Sequence, residues 1–287
     1  MQTVIRILMI LACFYIETAF SSLYAQETVS IAVHNYPPFY NEEATGLMTE
    51  VYDAAFDRVG IKASITTYPI KRGISYLFEN KVDAFSPGHI FFSEDLKKKA
   101  EWENSFVVVL VMTYYKPKLQ KKLVFRSLSE LKGYRIAILV NSPYFEEYKK
   151  YNLTVFPVQT PQQMMRMLKA GHVDLSVNAL LSGLLVIKKE FPDEWENFDY
   201  FAWDLLPCSL AINKENPTGL KRLEQFRMGF EQIKKDGTYI RILEKYWGKN
   251  NIPKGALLPG LVPFGIDHVD FESFYKPQRN EWGRIIE

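Results

Sequence analysis

Two stretches of the chain repeat one order of elements, and that repetition limits the fold more than any other feature. The first begins with an alternating, β-branched run at 28–34. It continues with a helical stripe of Leu47, Val51, Ala54, Ala55 and Val59 that stops at Gly60, a strand at 61–68, a helix over 72–80 and a short buried strand at 82–85. An apolar run of strand length follows at 106–115. The second stretch starts with a strand at 134–140 and then Ser142-Pro143, a cap residue with proline at the first helical position. A strand at 154–158 leads into Thr160-Pro161-Gln162-Gln163, a capping box, and a helix that ends at Ala170 before Gly171. A strand at 173–177 closes it, and a strand at 209–213 and helices over 220–233 and 239–247 come later. Such alternation is that of an α/β chain, here expected as two lobes, each a mostly parallel sheet flanked by helices. Tyr36-Pro37-Pro38-Phe39-Tyr40 must end the first strand, because two prolines remove donors and fix φ. Residues 251–287, rich in proline and aromatics, read as an irregular tail packed over the surface.

The first 25 residues read as a secretory signal. Arg6 is the only charge in the first sixteen, a short apolar run surrounds it, and small and polar residues lead to Leu23-Tyr24-Ala25. The apolar run is short for a bilayer and Glu17 interrupts it. A retained anchor, or a lipoprotein cut before Cys13, are the alternatives. After residue 26 the longest apolar stretch is 106–112, so no stable membrane insertion is expected after processing. The remaining cysteine, Cys208, has no partner for an intramolecular disulfide. Thirty-five basic against 33 acidic residues give +2, no footprint for nucleic acid or an anionic membrane. The histidines at 34, 89, 172 and 268 lack metal-ligand spacing, and no phosphate loop or nucleophile elbow occurs. Neither a metal nor a cofactor is therefore expected. Met164, Met165, Met167 and Leu168 read as core packing.

Four further places carry a resemblance. They are Tyr36-Pro37-Pro38-Phe39 followed by Gly46 and Glu50; Glu79-Asn80-Lys81-Val82-Asp83-Ala84; the pair formed by Leu131-Lys132-Gly133 and Leu168-Lys169-Ala170-Gly171-His172-Val173-Asp174; and Asn213-Lys214-Glu215-Asn216-Pro217 with Asp236-Gly237-Thr238-Tyr239 and Lys245-Tyr246-Trp247-Gly248. In this order, over about residues 28–250, they resemble the bacterial extracellular solute-binding proteins of family 3, periplasmic receptors of polar amino acid importers. The resemblance implies a two-lobed fold of the type II periplasmic-binding-protein kind. Lobe 1 would comprise 27–114 plus 206–250 and lobe 2 residues 115–205, with a ligand enclosed between them and a location in the periplasm.

A cleft of that kind needs a few polar groups and an apolar wall. Tyr36 and Phe39 would form the wall, or else simply cover the core edge. Arg72 presents a fork that suits a carboxylate, though an exposed arginine at a helix start is the commoner case. Ser86, Gly88 and His89 follow the strand at 82–85, where the family places ligand contacts. Asn141 and Ser142 lie at a helix N-terminus receptive to an anion, although Ser142 is also an ordinary cap. Asn178 stands near where many members carry an Asp that meets the ligand's ammonium. A second departure is sharper: the arginine that grips the α-carboxylate in the family is absent from 92–99, and Asp95 or Leu96 falls in its place. Either Arg72 replaces it or the ligand is not an ordinary α-amino acid. The expectation is thus a monomeric, non-catalytic receptor that captures a small polar solute, an amino acid or related organic acid, and presents it to an ABC permease or a sensor. The alternatives are a degenerate-cleft protein-interaction module using the aromatic tail, and a cyclohexadienyl-dehydratase-like enzyme with Glu50, His89 or Lys71 as acid or base.

Overall fold

The structure, a computed structural model, describes residues 26–252 apart from 87–88, 120–122, 124, 126, 141, 143, 250 and the His89 side chain. The signal reading at 1–25 and the tail from 253 onward lie outside the described residues.

Among the described residues eight strands form one sheet in the order β2-β1-β3-β8-β4-β7-β5-β6. Two of them, β4 (Ala100–Tyr115) and β8 (Phe198–Asn213), are 16 residues each and pair antiparallel along their length. On one side β1 (Thr28–Val33) lies parallel between β2 (Lys62–Thr67) and β3 (Ala84–Phe85), and β3 meets β8 antiparallel. On the other, β5 (Arg135–Leu139) lies parallel between β6 (Thr154–Val158) and β7 (Leu175–Ala179), and β7 meets β4 antiparallel. Each half therefore repeats one topology, three parallel strands closed by a long antiparallel one. The expected two-lobed α/β architecture is what the chain adopts.

The helices cover this sheet: α1 (Leu47–Asp57), α2 (Ile70–Phe78), α3 (Glu94–Lys99), α4 (Phe145–Lys150), α5 (Pro161–Ala170), α6 (Leu180–Glu190), α7 (Pro217–Lys235) and α8 (Thr238–Trp247). Among the described residues no helix is long and apolar enough to cross a membrane. The Thr160 cap forms: its Oγ1 accepts from Gln163 N at 3.1 Å, while the Gln163 side chain reaches back to the N–H of Gln159. Asp83 and Asp174, the acidic residues of the two matching motifs, do the same structural work in each half. Asp83 accepts from the backbone N–H of Ser30 at 2.7 Å, and Asp174 from that of Arg135 at 2.8 Å. Each thereby fixes the entry to a central strand.

Several bounds differ from the sequence expectation. The strand expected at 106–115 begins at Ala100 and that expected at 209–213 begins at Phe198. Their added parts carry Glu101, Glu103 and Pro207, which mask the apolar pattern; Arg227 on α7 pairs with Glu103 at 2.9 Å and Glu101 at 3.3 Å. Helix α6 has no side-chain cap, and Ser182 and Gly183 interrupt its apolar run, so no helical period marks it. Helix α4 starts at Phe145, with Tyr144 rather than Ser142 as its cap residue.

Helices α1 and α7 approach closely through aromatic contacts, Phe226 lying 5.5 Å from Tyr52 and 5.6 Å from Phe56. Gly229 permits this: a Cβ there would stand 1.8 Å from the Ala55 carbonyl oxygen. Gly229→Ala is expected to lower the melting temperature read by circular dichroism, through overpacking worth about 1–3 kcal/mol, despite roughly 1 kcal/mol of gained helix propensity. An unchanged or higher melting temperature would show that the helices separate without cost.

Candidate functional site

A cavity of about 270 Å³ lies between the two halves of the sheet. Its walls come from the carboxyl ends of β1, β5 and β7 and their following loops, from the middles of β4 and β8, and from the starts of α5 and α6. His34, Asn35 and Tyr36 face Leu139, Val140, Ser142, Val177, Asn178, Ala179 and Ser182 across it, and Leu110, Leu206 and Cys208 form its floor.

The Tyr36 side is held by backbone. Tyr36 N donates to Tyr40 O at 2.9 Å, which closes the loop that the two prolines begin. The first N–H groups of α1 are satisfied by that loop and not by a side chain: Leu47 N reaches Pro38 O at 3.0 Å and Met48 N reaches Phe39 O at 3.1 Å. Only glycine fits before them, because Gly46 has φ 140° and a Cβ would stand 2.5 Å from Phe39 O. Phe39 is buried behind Tyr36, its ring 5.3 Å from that of Tyr36 and 5.3 Å from that of Phe106. His34 stacks on Tyr36 at 5.9 Å and meets Phe91 edge-on at 5.5 Å. Rings thus line this wall, and Phe39 braces it from the core.

The opposite wall is tied to the first. Ser182 Oγ donates to Pro37 O at 2.6 Å, and the Ala179 backbone faces the Tyr36 hydroxyl. Asn178 is anchored on its own half: its Oδ1 accepts from Thr113 Oγ1 at 3.0 Å and Ser176 Oγ at 3.3 Å, and its Nδ2 donates to Ala179 O at 3.1 Å. An amide has two N–H groups, so one remains for a guest. Gly183 makes room for this amide, since a Cβ there would lie 2.0 Å from Nδ2.

Behind the cavity runs a chain of buried hydroxyls whose direction follows from counting protons. Ser105 Oγ donates to Cys208 O at 3.3 Å, so it accepts from Tyr52, 3.0 Å away. Tyr52 has then spent its proton and accepts from Ser86, which in turn accepts from Tyr40. Burial pushes the Tyr52 phenol up to about 12, so the chain stays protonated.

The described part of the cavity is electrically neutral. Among the described residues no Asp, Glu, Lys or Arg lines it. Burial pushes His34 down to about 4, only partly offset by the Ser86 backbone, so its imidazole is uncharged at neutral pH. Burial also pushes the Cys208 thiol up to about 12.

Of the residues proposed from sequence, the structure brings Tyr36, Ser142 and Asn178 to this cavity. Phe39 lies one layer behind. Ser86 is fully buried, and both its donor and its acceptor capacity go to the tyrosine chain. Arg72 is exposed on the first turn of α2, whose buried positions are Gly73 and Leu77, and is not among the lining residues. Gly88, Asn141 and the His89 side chain lie outside the described residues. Of Asp95 and Leu96, the two residues expected where the resemblance puts an arginine, Asp95 is exposed and Leu96 packs beside Phe85 and Phe92. Glu50 lies elsewhere, accepting from Lys245 and from the Tyr246 hydroxyl, each at 2.6 Å. Sequence reasoning missed His34, Ser182 and Cys208. For His34 a signal existed, since it ends the strand that delivers Tyr36.

No protein-family model matches the sequence, and no curated protein matches it. Solved structures do. The sensor domain of a histidine kinase, described as similar to periplasmic binding proteins, has 19% identity and a TM-score of 0.60, over 78% of this chain and 97% of that one. The L-cystine solute receptor of Neisseria gonorrhoeae, in its unliganded open conformation, has 19% identity and a TM-score of 0.58, over 81% and 98%. The chain has the periplasmic-binding-protein fold. An ancestral arginine-binding protein bound to glutamine, at 22% identity and a TM-score of 0.57 over 79% and 100%, shares it.

His34 gives this fold a pH signature. Its folded pKa of about 4 is below the unfolded value of 6.5, so the unfolded state binds the proton first. Stability present above pH 6.5 is lost as the pH falls toward 4, by on the order of 2–3 kcal/mol. His34→Gln is expected to flatten this loss in urea unfolding between those limits. An imidazole resonance of His34 titrating near its ordinary value would refute the assignment.

Proposed function

We propose that the chain is a non-catalytic receptor that encloses a small solute between its lobes and presents the closed form to an importer or a sensor. The observation that carries this reading is a cavity lined from both halves of the sheet and bridged by the Ser182–Pro37 hydrogen bond. Tyr36, Ser142 and Asn178 would contact the solute. Lobe 1 would be 27–114 plus 206–250 and lobe 2 residues 115–205, after loss of a signal at 1–25 and export to the periplasm as a monomer. The register shifts in β4, between Asn104 and Phe106 and between Leu110 and Val111, would be the hinge points.

The names of the structural neighbours support capture of a solute, since they include receptors for arginine and cystine, and one of them is a kinase sensor domain. An amino acid or related organic acid is the solute class this likeness suggests. A ligand favours closure by its differential affinity for the closed state.

Removing the bridge weakens closure in the absence of solute. Ser182→Ala in the mature chain is expected to enlarge the radius of gyration in small-angle scattering, and a bound solute to restore the compact value. If amino acids, organic acids, polyamines and neutral ring compounds all gave neither heat in titration nor compaction, the receptor reading would be lost.

A further inference from the structure

We infer that the cavity takes an uncharged, largely apolar guest of about one ring, held between the His34–Tyr36 wall and the Asn178 amide. This deepens the receptor reading and rests on it. The volume fits: about 270 Å³ is available, and an apolar cavity of roughly 150 Å³ takes benzene. The chemistry of the lining excludes more than the volume does. An ion taken from water into a cavity loses its hydration and needs compensation there, from an opposite charge or from several converging N–H groups. An α-amino acid needs two such partners, for its carboxylate and its ammonium. The described lining holds no charged side chain, so it offers no ionic partner to the ammonium and only helix-start N–H groups to the carboxylate.

Several of its polar groups are also committed to the protein. Ser182 spends its proton on Pro37, and both lone-pair sites of the Asn178 carbonyl face the hydroxyls of Thr113 and Ser176. Among the described residues one amide N–H of Asn178 and the hydroxyl proton of Ser142 remain as donors and the buried Nδ1 of His34, which has no partner, as an acceptor; together they suit a carbonyl, hydroxyl or amide group on the guest. The rings of Tyr36, His34 and Phe91 offer flat faces and edges, with Leu110, Leu206 and Val177 completing an apolar enclosure. Lys71 and Arg72, next along the chain from the lining residue Ile70, are exposed on α2 and do not line the cavity.

A series that keeps the ring and changes only the charge tests this. Benzyl alcohol and benzamide are neutral, benzoate is an anion, benzylammonium a cation, and phenylalanine a zwitterion. In isothermal titration of the mature chain the two neutral compounds are expected to bind at least tenfold more tightly than the three charged ones. Val140→Trp, at a lining position 41% exposed at the surface, is expected to abolish binding while keeping the melting temperature. Leu206→Ala, which enlarges the cavity, is expected to shift preference from benzyl alcohol to naphthalene methanol. Arg72→Gln is expected to leave neutral binding within twofold.

Equal or tighter binding of benzoate, benzylammonium or phenylalanine, lost in Val140→Trp, would overturn the inference and leave the receptor reading standing. Loss of benzoate binding in Arg72→Gln would overturn it too, by placing that arginine at the site. Failure of the whole series would overturn it as well, and the receptor reading would then fall only if amino acids, organic acids and polyamines also gave no heat and no compaction.

Discussion

The antiparallel pairing of β4 with β8 is the constraint on which the rest of the molecule depends. The two strands run from Ala100↔Asn213 to Tyr115↔Phe198 as one ribbon, and every other strand joins the sheet through one of them. Because β3 attaches to β8 and β7 to β4, the parallel strands of the two halves point their carboxyl ends toward the middle. Residues after β1, β5, β6 and β7 therefore converge: His34 to Tyr36, Val140 and Ser142, Gln159, and Ser182 all line one space. Ligands of open α/β sheets gather outside the carboxyl ends of the strands, and two such edges facing each other enclose a volume.

The wall chemistry departs from what the architecture alone would suggest. Grip on a charged solute in this kind of cleft rests on buried ionic partners, and the described cavity is built from rings, aliphatic groups and amides instead. The segment at 92–99 is the local sign of this: where the resemblance places an arginine stand Asp95, which is exposed, and Leu96, which packs against a small core with Phe85 and Phe92. Architecture and ligand chemistry are thus separable properties, the first set by the ribbon and the second by the loop residues hung on it.

Much of the fold was legible because its cues are local. The β1 alternation, the Thr160 cap and the stop at Gly171 are all signals carried within a few residues. Helix α6 and the outer reaches of β4 and β8 were not legible, because tertiary burial and the Arg227 pairs decide them. At the site, Tyr36 and Asn178 follow strands and were found by position. Ser86 also follows a strand, yet its hydroxyl turns inward to two tyrosines from other elements. Arg72 fits a carboxylate by chemistry, but the α2 face toward the core belongs to Gly73 and Leu77.

The directed hydroxyl chain gives the interior behind the cavity a polarity. Tyr40, Ser86, Tyr52 and Ser105 lie on four different elements, and each passes its proton one step toward the Cys208 carbonyl. No member has a spare donor, so none can rotate alone without leaving its successor unmatched in a dry interior. The loop that presents Tyr36 and the floor strand that carries Cys208 are consequently geared together: turning either one obliges four oxygens to re-aim in concert.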